Sequence, residues 1–536
     1  MSGARFTRRT MLVATAGGVL VACSNDSTSA PPVTTASTST TSTTSTSTTA
    51  STLPPGPSFA VDPFSLGVAS GDPASESVVL WTRLAPAPLD PGGGMAPEPV
   101  TVGWQVGADE NMAEIVASGE AVADPAFAHS VHVVLEGLEP ARTYWYRFFV
   151  GDWETEIART RTTPAPDALA DRLAIGHVSC QRFSSGYWTA LDDLATHDLD
   201  AVVHCGDYIY ENNGTDVRSL ELPEPTEVDG YRAIYAGYKA DPSLRAAHAV
   251  APWILTWDDH EVENNYQGDV AQNGSETPDE ASFLARRAAA YQAWWEHMPV
   301  RLAAPTGPRW PIHRGVDFGR LLSMSVLDTR QYRTDQVCAE RDVGPRCDGS
   351  DGPDFTVLGT EQEAWLSGRL RGSDAVYNTM VQQIVMQQWR FLPGDAAWNL
   401  DQWDGYPAAR DRLFDDLRRP DVRNPVVLTG DVHSSWVGSL ASDFDDETAE
   451  VFGTEFVGTS VSSDGGALEP ILPAVLAQNP HIEWAQATKR GWTHHEITPT
   501  EWRADYREVD DATVEASPVA VATSWVLPDG GTVEQA

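Results

Sequence analysis

From residue 173 onward, short apolar runs break off one after another into clusters of chemically active residues. The runs are "RLAIGHVSCQ", "DAVVHCGDYIYENN", "WILTWDDHEVENNY", "LLSMSVLDTRQYR" and "NPVVLTGDVHSSW", with "NTMVQQIVM" as another apolar run of the same kind. The text between them is helical: "GYWTALDDLATHD" places Leu191, Leu194 and Ala195 on one face. Strands alternating with helices predict an α/β layered body. In such folds the residues just past the strand ends converge on one edge, where ligands bind.

The clusters are Cys180; Gly206, Asp207 and Tyr210; Asp258, Asp259 and His260; Arg330; and Gly430, Asp431 and His433. An Asp after a strand is ordinarily a turn or cap residue, and a lone Cys a small buried hydrophobe. Together, a thiolate, carboxylates, a phenolate and an imidazole describe a metal site, with a trivalent or borderline ion beside a harder one. With 36 basic against 76 acidic residues, the chain carries a formal charge of -40, which excludes coating nucleic acid by phosphate neutralisation.

Residues 1–23 are a targeting segment. Arg8 and Arg9 precede an apolar run too short to span a membrane comfortably, and "TRRTML" resembles a twin-arginine export signal. "LVAC" resembles a lipoprotein cleavage box with Cys23 as the lipidated residue; the alternative is a plain cleaved signal. Residues 24–57 are a Ser/Thr/Pro-rich spacer without a core. Residues 58–166 alternate as short strands and predict a small all-β, fibronectin-III-like domain, with Tyr144 or Tyr146 in "LEPARTYWYRF" as a tyrosine corner. The body is expected over 170–510, with 511–536 as a C-terminal tail.

"SCQ", "GDYIYE", "TWDDHEVENN", "LDTRQYRTDQ", "WDGYPAARDRL" and "GDVHSSW" occur in that order, and together they resemble the alkaline phosphatase D (PhoD) family of calcineurin-like metallophosphoesterases. The resemblance implies a four-layer metallophosphoesterase-type β-sandwich flanked by helices. It also implies a centre of Fe3+ and Ca2+, with Mn2+, Zn2+ or Co2+ as alternatives. Cys180, Tyr210 and His433 would serve the iron, Asp207 would bridge, and Asp259 and Asp431 would give oxygen to the harder ion. His260 falls at the superfamily's catalytic histidine, with Asp258 or Glu261 orienting its ring. Gln382 stands where relatives often carry Asn; its longer amide can still offer a carbonyl, and Asn264 and Asn265 are spare donors.

Arg330 is a candidate phosphate fork, or else a structural ion pair with Asp328 or Asp335. Trp403 and Tyr406 either shape the pocket mouth and bind substrate or pack in the core. Export favours a disulfide between Cys338 and Cys347, while Cys205, His494 and His495 read as structural. The resulting expectation is an exported phosphoesterase that cleaves phosphate esters by metal-bound hydroxide, its partners being the ester and the twin-arginine machinery, its membrane contact only a lipid anchor. A phosphodiesterase of phospholipase D type and a silent binding lipoprotein are the alternatives.

Overall fold

The computed structural model describes residues 57–336, 338, 343–347, 349–392 and 397–536. Arg8, Arg9, Cys23 and the spacer up to residue 56 lie outside the described residues.

Strands Leu173–Val178, Ala201–Cys205 and Trp253–Thr256 lie side by side and parallel, with every residue buried. Burial on both faces is why these runs are continuously apolar rather than alternating. They form the middle of a ten-stranded sheet. A seven-stranded sheet is built around Leu322–Val326, Tyr377–Val381 and Pro425–Thr429, also parallel. Successive residues serve opposite faces, as the two-residue period requires. Val203, Ile254 and Leu428 meet in one core between the sheets. Their neighbours Val202 and Leu255 pack with Tyr231, Leu244 and Trp294 of helices Val228–Lys239, Pro242–His248 and Glu280–His297. Val427 packs with Leu366 and Phe414 of helices Gly359–Gly372 and Pro407–Leu417. Asp241 and Asp279 start two of these helices by accepting the backbone N–H of Ser243 and Ser282.

Strand Val68–Ala74 pairs with Trp253–Thr256 at Gly71, so Val68–Ala74, Ser77–Arg83 and Ser130–Glu136 of the N-terminal region continue the ten-stranded sheet. Gly71 permits this approach: a Cβ there would overlap the carbonyl oxygens of Pro299 and Trp253. The other strands of the region form a five-stranded sheet, where Tyr144 Oη accepts the Glu139 N–H at 2.9 Å. One boundary differs from the sequence reading: the expected tail supplies strand Val519–Pro528, which pairs with Glu501–Val509. Its alternation is faint because Trp525 and Leu527 are buried but Val521 is exposed. Cys338 and Cys347 are joined by a disulfide, their Cα atoms 5.3 Å apart.

Lys239 ends its helix 1 % exposed, with Nζ 4.3 Å from the ring centroid of Trp81 and 5.5 Å from that of Tyr208. Burial pushes its pKa down to about 7. In the unfolded chain a lysine titrates near ~10.4, so between about pH 7 and pH 10 the unfolded state holds more protons and stability rises with pH. Lys239→Met is therefore expected to add about 1–3 kcal/mol at pH 7, a gain that shrinks toward pH 10. Urea melts at both pH values check this; a gain independent of pH contradicts it.

Candidate active site

Because the central strands are parallel, their C-terminal ends share one edge. Cys180 follows Leu173–Val178, Asp207 and Tyr210 follow Ala201–Cys205, and Asp258, Asp259 and His260 follow Trp253–Thr256. The second sheet brings Arg330 after Leu322–Val326, and Asp431 and His433 after Pro425–Thr429. Cys180 (φ 57°), Asp207 (φ 58°), Asp431 (φ 64°) and His433 (φ 51°) all adopt the left-handed backbone region. Each such residue costs about 1–2 kcal/mol, and clustering of this strain marks functional sites. The loops are held by each other: the N–H groups of Cys180 and Gln181 donate to the carbonyls of Gly206 and Asp207, both at 3.1 Å.

Ligand-type atoms of Cys180, Asp207 and His433 lie within 4.8 Å of one another, and so do those of Asp207, Asp258 and Asp259. Asp207 is common to both groups. Tyr210 Oη donates to Asp207 Oδ2 at 2.8 Å, lies 3.0 Å from His433 Nε2 and accepts from Ser463 Oγ at 2.8 Å. His433 Nδ1 is 2.5 Å from the carbonyl of Asp464, which fixes the proton there and leaves Nε2 a lone pair facing the cluster. Burial, then Arg490, push the His433 pKa down to about 3, which keeps that lone pair free.

The donor set fits cations. Burial and the neighbouring acids raise Asp207 well above the carboxylate range, only partly offset by His260, and burial with Asp207 raises the Cys180 thiol. Asp207 Oδ1 is buried without a hydrogen-bond partner among the described residues. An unpaired buried carboxylate oxygen is costly, and positive charge is the partner it lacks.

Arg330, fully buried, faces Asp258, Asp259 at 3.3 Å, Asp401 at 3.0 Å and Asp431 at 3.4 Å. It is neither an open phosphate fork nor an ion pair with Asp328 or Asp335; Asp328 Oδ1 accepts its backbone N–H instead. His260 Nδ1 is 2.7 Å from Glu211 Oε2, not from Asp258 or Glu261. Burial acts to discharge His260, but Glu211, Asp259 and Asp207 outweigh it and raise its pKa well above the usual value. Glu261 braces backbone, accepting the N–H groups of Asp207, Tyr208 and Asp258.

Trp403 and Tyr406, each 1 % exposed, belong to the helix-covered core rather than a pocket mouth. Trp403 Nε1 donates to the side-chain carbonyl of Gln382 at 3.0 Å, which occupies one lone pair of that oxygen. The Asn265 N–H donates to Asp259 Oδ2 at 2.6 Å, and the Asn264 amide donates to Gln272. Cys205 and His495 are buried beside His177, and His494 lies on the same strand as His495.

A PhoD-like phosphatase family model matches residues 173–506, and the model of that family's N-terminal domain matches 32–164. The chain belongs to the PhoD-like phosphatase family. It is 43 % identical over 481 residues to alkaline phosphatase D of Bacillus subtilis (strain 168), covering 88 % of this chain and 82 % of that protein. A solved structure of PhoD superposes with a TM-score of 0.86 at 42 % identity, covering 89 % of this chain and 93 % of the other. As a PhoD-like phosphatase the protein is a phosphoesterase, and its substrate is a phosphate ester.

Sequence reasoning gave no role to several residues of the PhoD-like site. Glu211 closes the quoted motif "GDYIYE", so its place beside His260 had a signal. Asp401 and Gln402, which hold Arg330 and Asp431, stand just before Trp403 in text read only for its aromatics. Ser463 carries no local signal at all.

Proposed function

We propose that this phosphatase cleaves phosphate esters at a two-metal cluster shared through Asp207, with Fe3+ served by Cys180, Tyr210 and His433 and Ca2+ served by Asp259 and Asp431. The supporting observation is the membership of Asp207 in both groups of ligand-type atoms. Cations held there supply Lewis-acid chemistry, acidifying water and offsetting charge on the phosphoryl group. The protein's own part follows from His260: its ring is held by Glu211, and its other nitrogen is the proton source for the departing alkoxide. Glu261 keeps the two acidic loops in register through three backbone N–H groups.

The same reading takes the body as a four-layer metallophosphoesterase-type sandwich, in accord with the cores on both sides of and between the two large sheets. It takes 58–166 as a small all-β, fibronectin-III-like N-terminal domain. "TRRTML" and "LVAC" support export by the twin-arginine route and attachment outside the cell through lipid on Cys23.

The test is metal content and visible absorption of protein lacking residues 1–23, with hydrolysis of p-nitrophenyl phosphate and its bis ester. The expected result is bound iron, an absorption band lost in Tyr210→Phe, and turnover that requires calcium. The ester ratio then assigns mono- or diesterase preference. A colourless protein that stays inactive after reconstitution with iron and calcium refutes the assignment.

A further inference from the structure

A phosphate ester brings negative charge into a cluster crowded with carboxylates, and Arg330 is already committed to four of them. Two arginines beside the cluster differ from it: Arg182 and Arg490 have no carboxylate ion pair among the described residues. Arg490 is 8 % exposed and otherwise engaged. Its Nη1 donates to the carbonyls of His433 and Lys489 and to Thr459 Oγ1, with the guanidinium lodged against Gly465.

Arg182 is half-buried and held at three points. Its N–H donates to Ser463 Oγ at 3.0 Å, its carbonyl accepts from Ser462 Oγ at 2.8 Å, and Nη2 donates to the carbonyl of Asn212 at 3.2 Å. Its guanidinium carbon lies 5.8 Å from the ring centroid of Tyr210, whose hydroxyl touches Asp207. Nε is buried without an acceptor, and Nη1 has no hydrogen-bond partner among the described residues.

We propose that Arg182 is the substrate-binding residue that takes an anionic oxygen of the phosphate ester, the part first expected of Arg330. The inference rests on the phosphoesterase site proposed above. Arg182 is positioned before substrate arrives, two residues from Cys180, and Nε and Nη1 have no acceptor among the described residues, with the Asp216 carboxylate near Nη2 but not ion-paired to it. A charge-assisted bond to an anionic oxygen is stronger than a neutral one and favours bidentate geometry. The sequence gives no hint of it, because Arg182 lies just past "SCQ" with no acid beside it.

The test is Arg182→Gln, which keeps a polar side chain but is two atoms shorter and removes the charge, with Arg182→Lys and Arg182→Ala beside it, all metal-loaded. Binding of inorganic phosphate is measured by calorimetry, and KM and kcat with p-nitrophenyl phosphate. In Arg182→Gln the phosphate Kd and the KM are expected to rise about ten- to hundredfold, with kcat changed far less and metal content retained. Arg182→Lys is expected to recover part of the loss. A Kd within about twofold of wild type overturns the inference while the phosphoesterase site stands. Loss of metal from both the Gln and Ala variants also overturns it, by making Arg182 a support of the Cys180 loop. A wild-type protein that neither hydrolyses ester nor binds phosphate overturns the underlying site as well.

Discussion

Asp207→Asn is expected to lower kcat/KM for phosphate esters by about a thousandfold or more and to reduce bound metal. The substitution preserves shape and alters one thing, the charge of the residue shared by both groups of ligand-type atoms. Asn also places an amide NH2 where a second acceptor oxygen is needed. Because Tyr210 Oη donates to Asp207 Oδ2, the Tyr210 phenol also loses the charged acceptor that orients it. Hydrolysis and metal content are measured together on the same preparation. If both match the wild type, Asp207 is not the shared ligand and the two-metal reading fails.

Arg330→Met is expected to destabilise the protein by about 3–5 kcal/mol in the presence of a chelator. The guanidinium is fully buried and faces Asp258, Asp259, Asp401 and Asp431, so its removal leaves four carboxylates with a deficit of positive charge. On the proposed two-metal reading, cations held there would share that neutralising task. The loss should therefore be smaller in the metal-loaded protein than in the stripped one. Denaturant melts of wild type, Arg330→Met and Arg330→Lys with and without chelator measure this coupling. An equal loss in both states would separate Arg330 from the metal cluster.

The strand ends were legible in the sequence because their signal is local. An apolar run and the Cys, Asp, Tyr or His that ends it are contiguous, so Cys180, Asp207, Tyr210, Asp259, Asp431 and His433 could be read from short stretches. Partner choice was not legible, because it depends on how loops fold back. Three acids compete for His260, and the structure gives it Glu211, 49 positions away, over Asp258 and Glu261 nearby. Arg330 meets Asp401 and Asp258 across 71 and 72 positions, whereas the neighbouring Asp328 takes only its backbone N–H. Trp403 and Tyr406 show the same limit from the other side: aromatics in polar text read as a mouth, and tertiary packing buries them. Pairing partners of strands are equally silent in the sequence, which is why the sheet shared by Val68–Ala74 and Trp253–Thr256 was not foreseen and 511–536 looked loose.

The pairing of Val68–Ala74 with Trp253–Thr256 sets an order of events during synthesis. Val68–Ala74 leaves the ribosome long before its central neighbour exists, and the opposite side of the same sheet waits for Val519–Pro528, far later in the chain. No early portion of the chain completes that sheet by itself. Contacts so distant along the chain make assembly slow and collective, with unpaired edges exposed meanwhile. A nascent chain of this design exposes unpaired strand edges until Val519–Pro528 has been made, and a fragment that begins after residue 166 leaves Trp253–Thr256 as an open edge on which other chains can template.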